Sequence, residues 1–359
     1  PPDGDAYREF PSSLLWNRGK KSVVLDSYSK DASEKIRRLT ERADVIIETF
    51  NPGYAKALGV DYETLQVYRP DLVYCSITGF GREGPYAGYK NYEGLVQAKS
   101  GRLMSFEGLT ARNGPSYAVV NVANHSASMA AVRGIVSALM VRDTTGWGQR
   151  VDTSLLQAMT YYDMTQFILW QMMIKFPETF EFDPTTIARR ASPIEYLPVR
   201  TKDGRWIQLA NLIERLFRSE IHAIGLGHIY DDPRFTDAPN LIEGEDREDL
   251  RRLILTRMQE KTQDEWMDLF VNQEGDVAAE PFMTATEALS HPQMIHNGHV
   301  WVVNDPTVGP MRQLGPAFYM DITPSKIQGP APMLGQHTEE ILEKLNSKKD
   351  SSENPTVSG

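Results

Sequence analysis

Strand and helix alternate between Lys21 and Ile77, and that alternation restricts the chain to a small set of folds. Ser22–Leu25 reads as a short strand; Asp31 and Ser33 can cap a helix with Ile36, Leu39 and Ala43 on one face. Asp44–Glu48 (DVIIE) is a second strand, and the turn at Asn51-Pro52-Gly53 leads through helical residues to a third, Asp71–Ile77. Parallel strands need long crossovers, which the intervening helices supply. The expectation is an α/β chain built on an open parallel sheet of Rossmann type.

The strongest helical pattern begins at Asn124. Met129, Val132, Val136 and Leu139 recur at helical spacing, and Ile135 and Met140 widen that apolar stripe. Ala127, Ala130, Ala131, Gly134 and Ala138 are small, so a neighbouring backbone can approach closely, and Asp143, Gly146 and Gly148 end the run. The pattern predicts a buried helix whose first turn opens at Asn124. Unpaired N–H groups and the positive dipole end gather there, a natural place for an anionic group or ligand.

Gly79-Phe-Gly-Arg-Glu-Gly84 spells GxGxxG directly after a strand. In a dinucleotide fold that fingerprint belongs to the first strand–helix turn, whereas here Pro85 to Gly88 continue a loop, so a glycine loop at the carboxyl edge of a sheet is the preferred reading. Lys90 to Gly101 then brings a cation, a phenol and a carboxylate into another loop-to-helix passage. Gln149–Thr153 reads as a strand and Ser154 to about Lys175 as a Met-rich helix, whose Gln157, Asp163, Gln166 and Gln171 exclude a lipid span.

Residues 176–186 read as a linker. Beyond it, a hairpin over Tyr196–Leu209 with an Asp203-Gly204 turn, helices near Leu212–Ile224, Arg247–Glu260 and Gln263–Phe270, and a return strand at Val300–Val303 suggest a second, smaller α+β domain. His291, His296 and His299 lack a carboxylate or thiol companion and are read as structural, with no metal. Leu334–His337 forms a turn into a helix over Thr338–Leu345, and the tail 346–359 has the composition of a disordered segment or linker.

A chain of 359 residues fits about two domains, and its net charge of −10 argues against nucleic acid or an anionic membrane as the main partner. The lone Cys75 excludes an internal disulfide, fits a reducing, cytoplasmic setting, and reads as a buried structural thiol. No apolar run is long enough for a membrane span, and the opening residues do not form a signal peptide.

Several blocks in order resemble the family III CoA-transferases, also called the CaiB/BaiF family. They are Asn17–Asp26 (NRGKKSVVLD), Glu48–Gly53 (ETFNPG), Leu72–Gly81 (LVYCSITGFG), Tyr92–Gly101 (YEGLVQAKSG), Gly146–Asp152 (GWGQRVD) and Leu334–Leu342 (LGQHTEEIL). The resemblance runs from about Phe10 to Leu345. It implies a large CoA-binding domain from residues 1–185 and 305–345, to which the chain returns after a small domain at 190–304. It also implies an interlocked homodimer, or pairing with a fused or separate partner copy. The substrates it implies are an acyl-CoA, bringing coenzyme A, and a free carboxylate. In such enzymes an aspartate at the head of the small-residue helix attacks the thioester, giving first a mixed anhydride and then an enzyme-bound aspartyl thioester.

Counting ten positions back from Gly134 places Asn124 at that aspartate. A neutral amide cannot act as the carboxylate nucleophile; helix capping is the plain alternative role for Asn. Three explanations stand: a copy without its own nucleophile, an engineered substitution that traps a complex, or takeover by Glu93. The resemblance places Tyr92 and Glu93 beside the reacting thioester. It places Leu25, Asp26, Ser27, Tyr28, Thr49, Phe50, Asn51, Lys90 and Asn91 along the CoA, with Tyr28 and Ala57 standing where relatives carry cations. The α-methylacyl-CoA racemase branch is disfavoured, because its histidine and aspartate positions hold Tyr92 and Asn124. The lining from Thr186 to Ile213 identifies neither donor nor acceptor. The family's first β-α-β unit is expected to precede the point where this sequence begins.

Overall fold

Val45–Glu48 (β1), Val73–Thr78 (β2) and Arg150–Ser154 (β3) pair in parallel in the order β1-β2-β3, with Val45 opposite Val73 and Tyr74 opposite Arg150. This computed structural model describes residues 6–101, 103, 120–162, 164–180, 193–240, 242, 244–274 and 276–346. The expected tail beyond Asn346, the later part of the expected linker and the 186–192 portion of the lining lie outside the described residues. The chain divides into two units, Pro1–Arg190 with Gln328–Gly359, and Ala191–Ile327.

In the first unit, helices Ala32–Thr40 (α1), Tyr54–Ala57 (α2) and Tyr62–Leu65 (α3) precede or link the strands. Val60, Leu65, Leu72 and Tyr74 form the core on one side of the sheet, with Ile36 and Ile46 packed against them. Glu93–Lys99 (α4), Val122–Thr145 (α5), Leu155–Tyr162 (α6) and Met164–Lys175 (α7) follow. None of the described helices is long and apolar enough to cross a membrane. Cys75 is fully buried in β2, and burial pushes its thiol up to about 11, in keeping with an inert structural residue.

α5 departs from expectation in two ways. It begins at Val122, so Asn124 lies inside the first turn and Asn121 is the N-cap, without a side-chain capping bond. Its buried face is Ala123, Ala127, Ala131, Ile135 and Ala138, whereas Met129, Val132, Val136 and Met140 are exposed. The reason is steric. The small residues let α5 settle on β2 and β3 so closely that a Cβ on Gly134 would lie 2.5 Å from Val151 Cγ1, and the larger side chains are turned away.

Ser22–Leu25 does not form the expected strand. Its polar groups go instead to the Leu334–Thr338 turn. Ser22 N–H donates to His337 Nδ1 (3.2 Å), His337 N–H donates to the Ser22 carbonyl (3.0 Å), Gly335 N–H donates to Ser22 Oγ (3.0 Å), and Val24 N–H donates to Thr338 Oγ1 (3.0 Å). Partners that are mostly side chains cannot continue a ladder. The turn leads into Thr338–Asn346, the last helix of this unit.

The second unit contains an antiparallel sheet of Pro198–Arg200 (β4), Trp206–Leu209 (β5) and Ala279–Pro281 (β6). Glu214–Ala223 (α8), Gly244–Met258 (α9) and Gln263–Asp268 (α10) accompany it, and Phe217, Ile221, Leu250, Ile254, Trp266 and Phe270 fill its core. Gly204 supplies the left-handed residue (φ 79°) of the β4–β5 turn. The Val300 strand extends to Asp305 (β7) and pairs with Gly309–Leu314 (β8). His291 is a helix cap, its Nδ1 accepting from Gln293 N–H at 3.2 Å.

Candidate functional site

The site forms where two helices of the first unit begin. The glycine loop carries the chain from the end of β2 to α4, and its position is set at Gly79, whose carbonyl accepts from Leu156 N–H at 3.0 Å. A Cβ there would lie 2.1 Å from Asn91 Cβ, so only glycine lets the loop close on itself. Asn91 is held by this contact, Tyr92 becomes the N-cap of α4 and is 64 % exposed, and Glu93 follows as the first helical residue. Lys90 is exposed.

Glu93 reaches across to the N-terminus of α5. Its Oε1 accepts from Ala123 N–H (2.6 Å) and its Oε2 from Asn124 N–H (3.0 Å). The Asn124 amide donates through Nδ2 to the same Oε2 at 2.5 Å. One turn along α4, Gln97, 2 % exposed, donates through Nε2 to Oε1 at 2.6 Å. A carboxylate offers about four acceptor sites, and these four donors fill them. The other first-turn N–H groups are also satisfied, Val122 by the Val120 carbonyl and His125 by the Asn121 carbonyl.

The expected anion position at the head of α5 is therefore taken by the protein's own carboxylate, where the dipole and two amides favour negative charge. Asn124 is not a capping residue. It is an exposed side chain whose amide N–H₂ is committed to Glu93. Gln97 was absent from the sequence-based set, although its i,i+4 spacing from Glu93 is the signal that points to it.

The expected CoA-lining positions are only partly gathered. A recess of about 520 Å³ opens against the face of the parallel sheet that carries Tyr74, Ser76 and Thr78, and Phe50 and Asn51 line it. Leu25, Asp26, Ser27, Tyr28, Thr49 and Lys90 are not among its lining residues. Leu25 to Tyr28 follow the Ser22 clasp in a turn where Asp26 Oδ1 accepts from Tyr28 N–H at 2.9 Å, leaving Tyr28 93 % exposed. Lys56, which the sequence reading passed over, lines the recess beside Asn51. Among the described residues no group of three or more His, Cys, Asp or Glu could hold a metal ion.

The CoA-transferase family III profile matches residues 1–338. A succinate–glutarate CoA-transferase of Agrobacterium fabrum is 33 % identical over 334 residues, covering 92 % of this chain and 80 % of that protein. Human succinyl-CoA:glutarate CoA-transferase is 28 % identical over 340 residues, 92 % of this chain and 73 % of its own. Among solved structures, a CaiB/BaiF family protein from Brucella suis is 28 % identical and superposes with a TM-score of 0.75, covering 92 % of this chain and 82 % of that one. With the profile spanning almost the whole chain and relatives of this kind on both sequence and structure, this protein belongs to CoA-transferase family III.

Proposed function

We propose that this chain binds an acyl-CoA thioester at the Glu93–Asn124 pair and that transfer of coenzyme A to a carboxylic acid by this site requires a carboxylate at position 124. In that transfer a carboxylate oxygen attacks the thioester carbonyl and the C–S bond breaks. The departing thiolate attacks the resulting anhydride at the enzyme's acyl carbon, and the donor acid leaves. An acceptor carboxylate then reverses the sequence. The amide of Asn124 has no anionic oxygen for the first step.

The observation that carries this reading is the filling of Glu93. With both oxygens already accepting two hydrogen bonds, Glu93 has no free lone pair to aim at a thioester, which argues against its having taken over as nucleophile. Racemisation is disfavoured as well, because Tyr92 and Asn124 cannot supply an acid/base pair at neutral pH. An interlocked pair of copies belongs to the same reading, supported by the exposed apolar side chains of α5, and sedimentation of the full chain measures it.

The test is transfer from succinyl-CoA to glutarate, the substrates in the relatives' names, by the unaltered chain and by Asn124→Asp. The expected result is binding without a hydroxylamine-sensitive adduct in the unaltered chain, and adduct formation with turnover in the variant. Equal turnover by both, or a covalent acyl or CoA adduct on the unaltered chain, overturns the proposal.

A further inference from the structure

Hydrogen-bond donors are shared unevenly between Glu93 and Asn124. Glu93 accepts from two first-turn N–H groups of α5, from the Asn124 amide and from Gln97, whereas among the described residues nothing donates to Asn124 Oδ1. Gln97 differs in kind from the other donors. The backbone N–H groups come with the helix whatever its side chains are. The Gln97 amide instead sits 2 % exposed beside the fully buried Val96, where an unbonded polar group would be costly. Its Nε2 meets Glu93 Oε1 at 2.6 Å, one turn along α4.

An acid at position 124 would compete with Glu93 for negative charge. Burial acts to neutralise Glu93, because position 124 is exposed and Glu93 is half-buried. Against it stand the two backbone N–H groups and Gln97, all of which bond the ionised form. A carboxylate with two or three such donors stays ionised far below its ordinary range, so the donors prevail. The proton shared by two facing acids then settles on residue 124, whose O–H takes over the bond that the Asn124 amide now makes. The other titratable groups around the pair are Lys90 and Tyr92 ahead of α4, Lys99 at its end, His125 on α5, and Tyr161 on α6, which packs against both helices. All five are exposed, where water and salt weaken their influence.

We propose that Gln97 is a positioning residue that acts through Glu93: it keeps that carboxylate ionised and so assigns the proton of an acid pair to residue 124. Gln97 thereby sets the pH above which a carboxylate at position 124 is free to attack a thioester. The proposal rests on the reading of position 124 given above.

Two measurements test it. In Asn124→Asp labelled with carbon-13 at the aspartate side-chain carboxyls, the signal absent from the unaltered chain reports residue 124. That carboxyl is expected to stay protonated well above the ordinary aspartate value of about 4, and to titrate about one pH unit lower in Asn124→Asp/Gln97→Met. Methionine keeps the unbranched shape and removes the donor. Gln97→Asn, too short to reach Glu93, is expected to move the titration the same way. Transfer from succinyl-CoA to glutarate by these variants is expected to show an acid limb that shifts down by the same amount. An ordinary titration of the position-124 carboxyl in Asn124→Asp overturns the proposal. So does a lower rate in the double variants with the limb and the titration unmoved, which is what a merely structural role would give. Absence of transfer by Asn124→Asp at every pH overturns the proposed function instead, and the carbon-13 titration still decides the role of Gln97.

Discussion

Asn124 donates its side-chain amide to the Glu93 carboxylate at 2.5 Å, across 31 residues of sequence, while its backbone N–H donates to the same oxygen. The pair is complementary as it stands: an anion against a neutral donor at a positive helix end. Replacing the amide by a carboxylate removes a donor and sets two acids face to face. Such acids cannot both ionise freely, so one is held protonated above its ordinary range.

Asn124→Asp is therefore expected to be close to the unaltered chain in stability at pH 5. It should lose about 1–2 kcal/mol by pH 8, because the native state holds a proton that the unfolded state has released. Thermal midpoints at the two pH values measure this. A pH-independent difference would place the new carboxylate away from Glu93.

Glu93→Gln keeps the shape of the side chain but turns one acceptor oxygen into a donor. That donor faces N–H groups already pointing at it. The expected cost is about 2–3 kcal/mol of stability, from lost charge-assisted bonds and stranded amides at the head of α5. Gln97→Leu, which removes one donor and leaves the other three, is expected to cost about 1–2 kcal/mol, by urea unfolding. Equal costs for the two would deny Glu93 its central place.

Glu220 gives the second unit a pH dependence of its own. It is fully buried on α8; Oε2 accepts from Asn211 Nδ2 at 2.5 Å, and Oε1 has no hydrogen-bond partner among the described residues. Burial pushes its carboxyl from 4.5 up to about 8, opposed by the Asn211 bond and assisted by the charge of Glu195. Between those two values the native state binds the proton and the unfolded state does not, so stability falls as pH rises through that window and stays low above it. Glu220→Gln is expected to match the parent within ~1 kcal/mol at pH 5 and exceed it by about 2 kcal/mol or more at pH 9, read from urea midpoints. A parallel decline of both proteins with pH would contradict this.

Gly134→Ala tests the contact of α5 with the sheet. The added Cβ meets a β-branched side chain held within β3, so α5 must move or Val151 must leave its rotamer. About 1–3 kcal/mol is the expected loss by thermal unfolding. A neutral effect would mean that α5 sits looser than its Ala-lined face implies.

The residue pattern exposed the parallel strands because Val-Ile-Ile and Leu-Val-Tyr-Cys lie between clear turns, and it exposed α5 because small residues recur along it. It misled on which face of α5 is buried. Met129 and Val132 carry more apolar area than Ala127 and Ala131, but periodicity cannot weigh area against closeness of approach. Gly-Pro-Met-Arg-Gln-Leu shows no alternation, and so β8 was invisible beside its partner β7. Tyr92, Glu93 and Asn124 could be named only as candidates, through the family resemblance. The bond between Glu93 and Asn124 could not, since nothing local relates residues so far apart in sequence.

The clasp between Ser22 and His337 has a temporal meaning as well as a structural one. These two residues stand 315 positions apart, and the whole of the second unit lies between them. During synthesis, the Ser22 segment must wait until His337 has left the ribosome before its amide and carbonyl find partners. The second unit, contiguous in sequence, can assemble first. Order of assembly in this protein is thus expected to run opposite to the order in which its larger half begins to be translated.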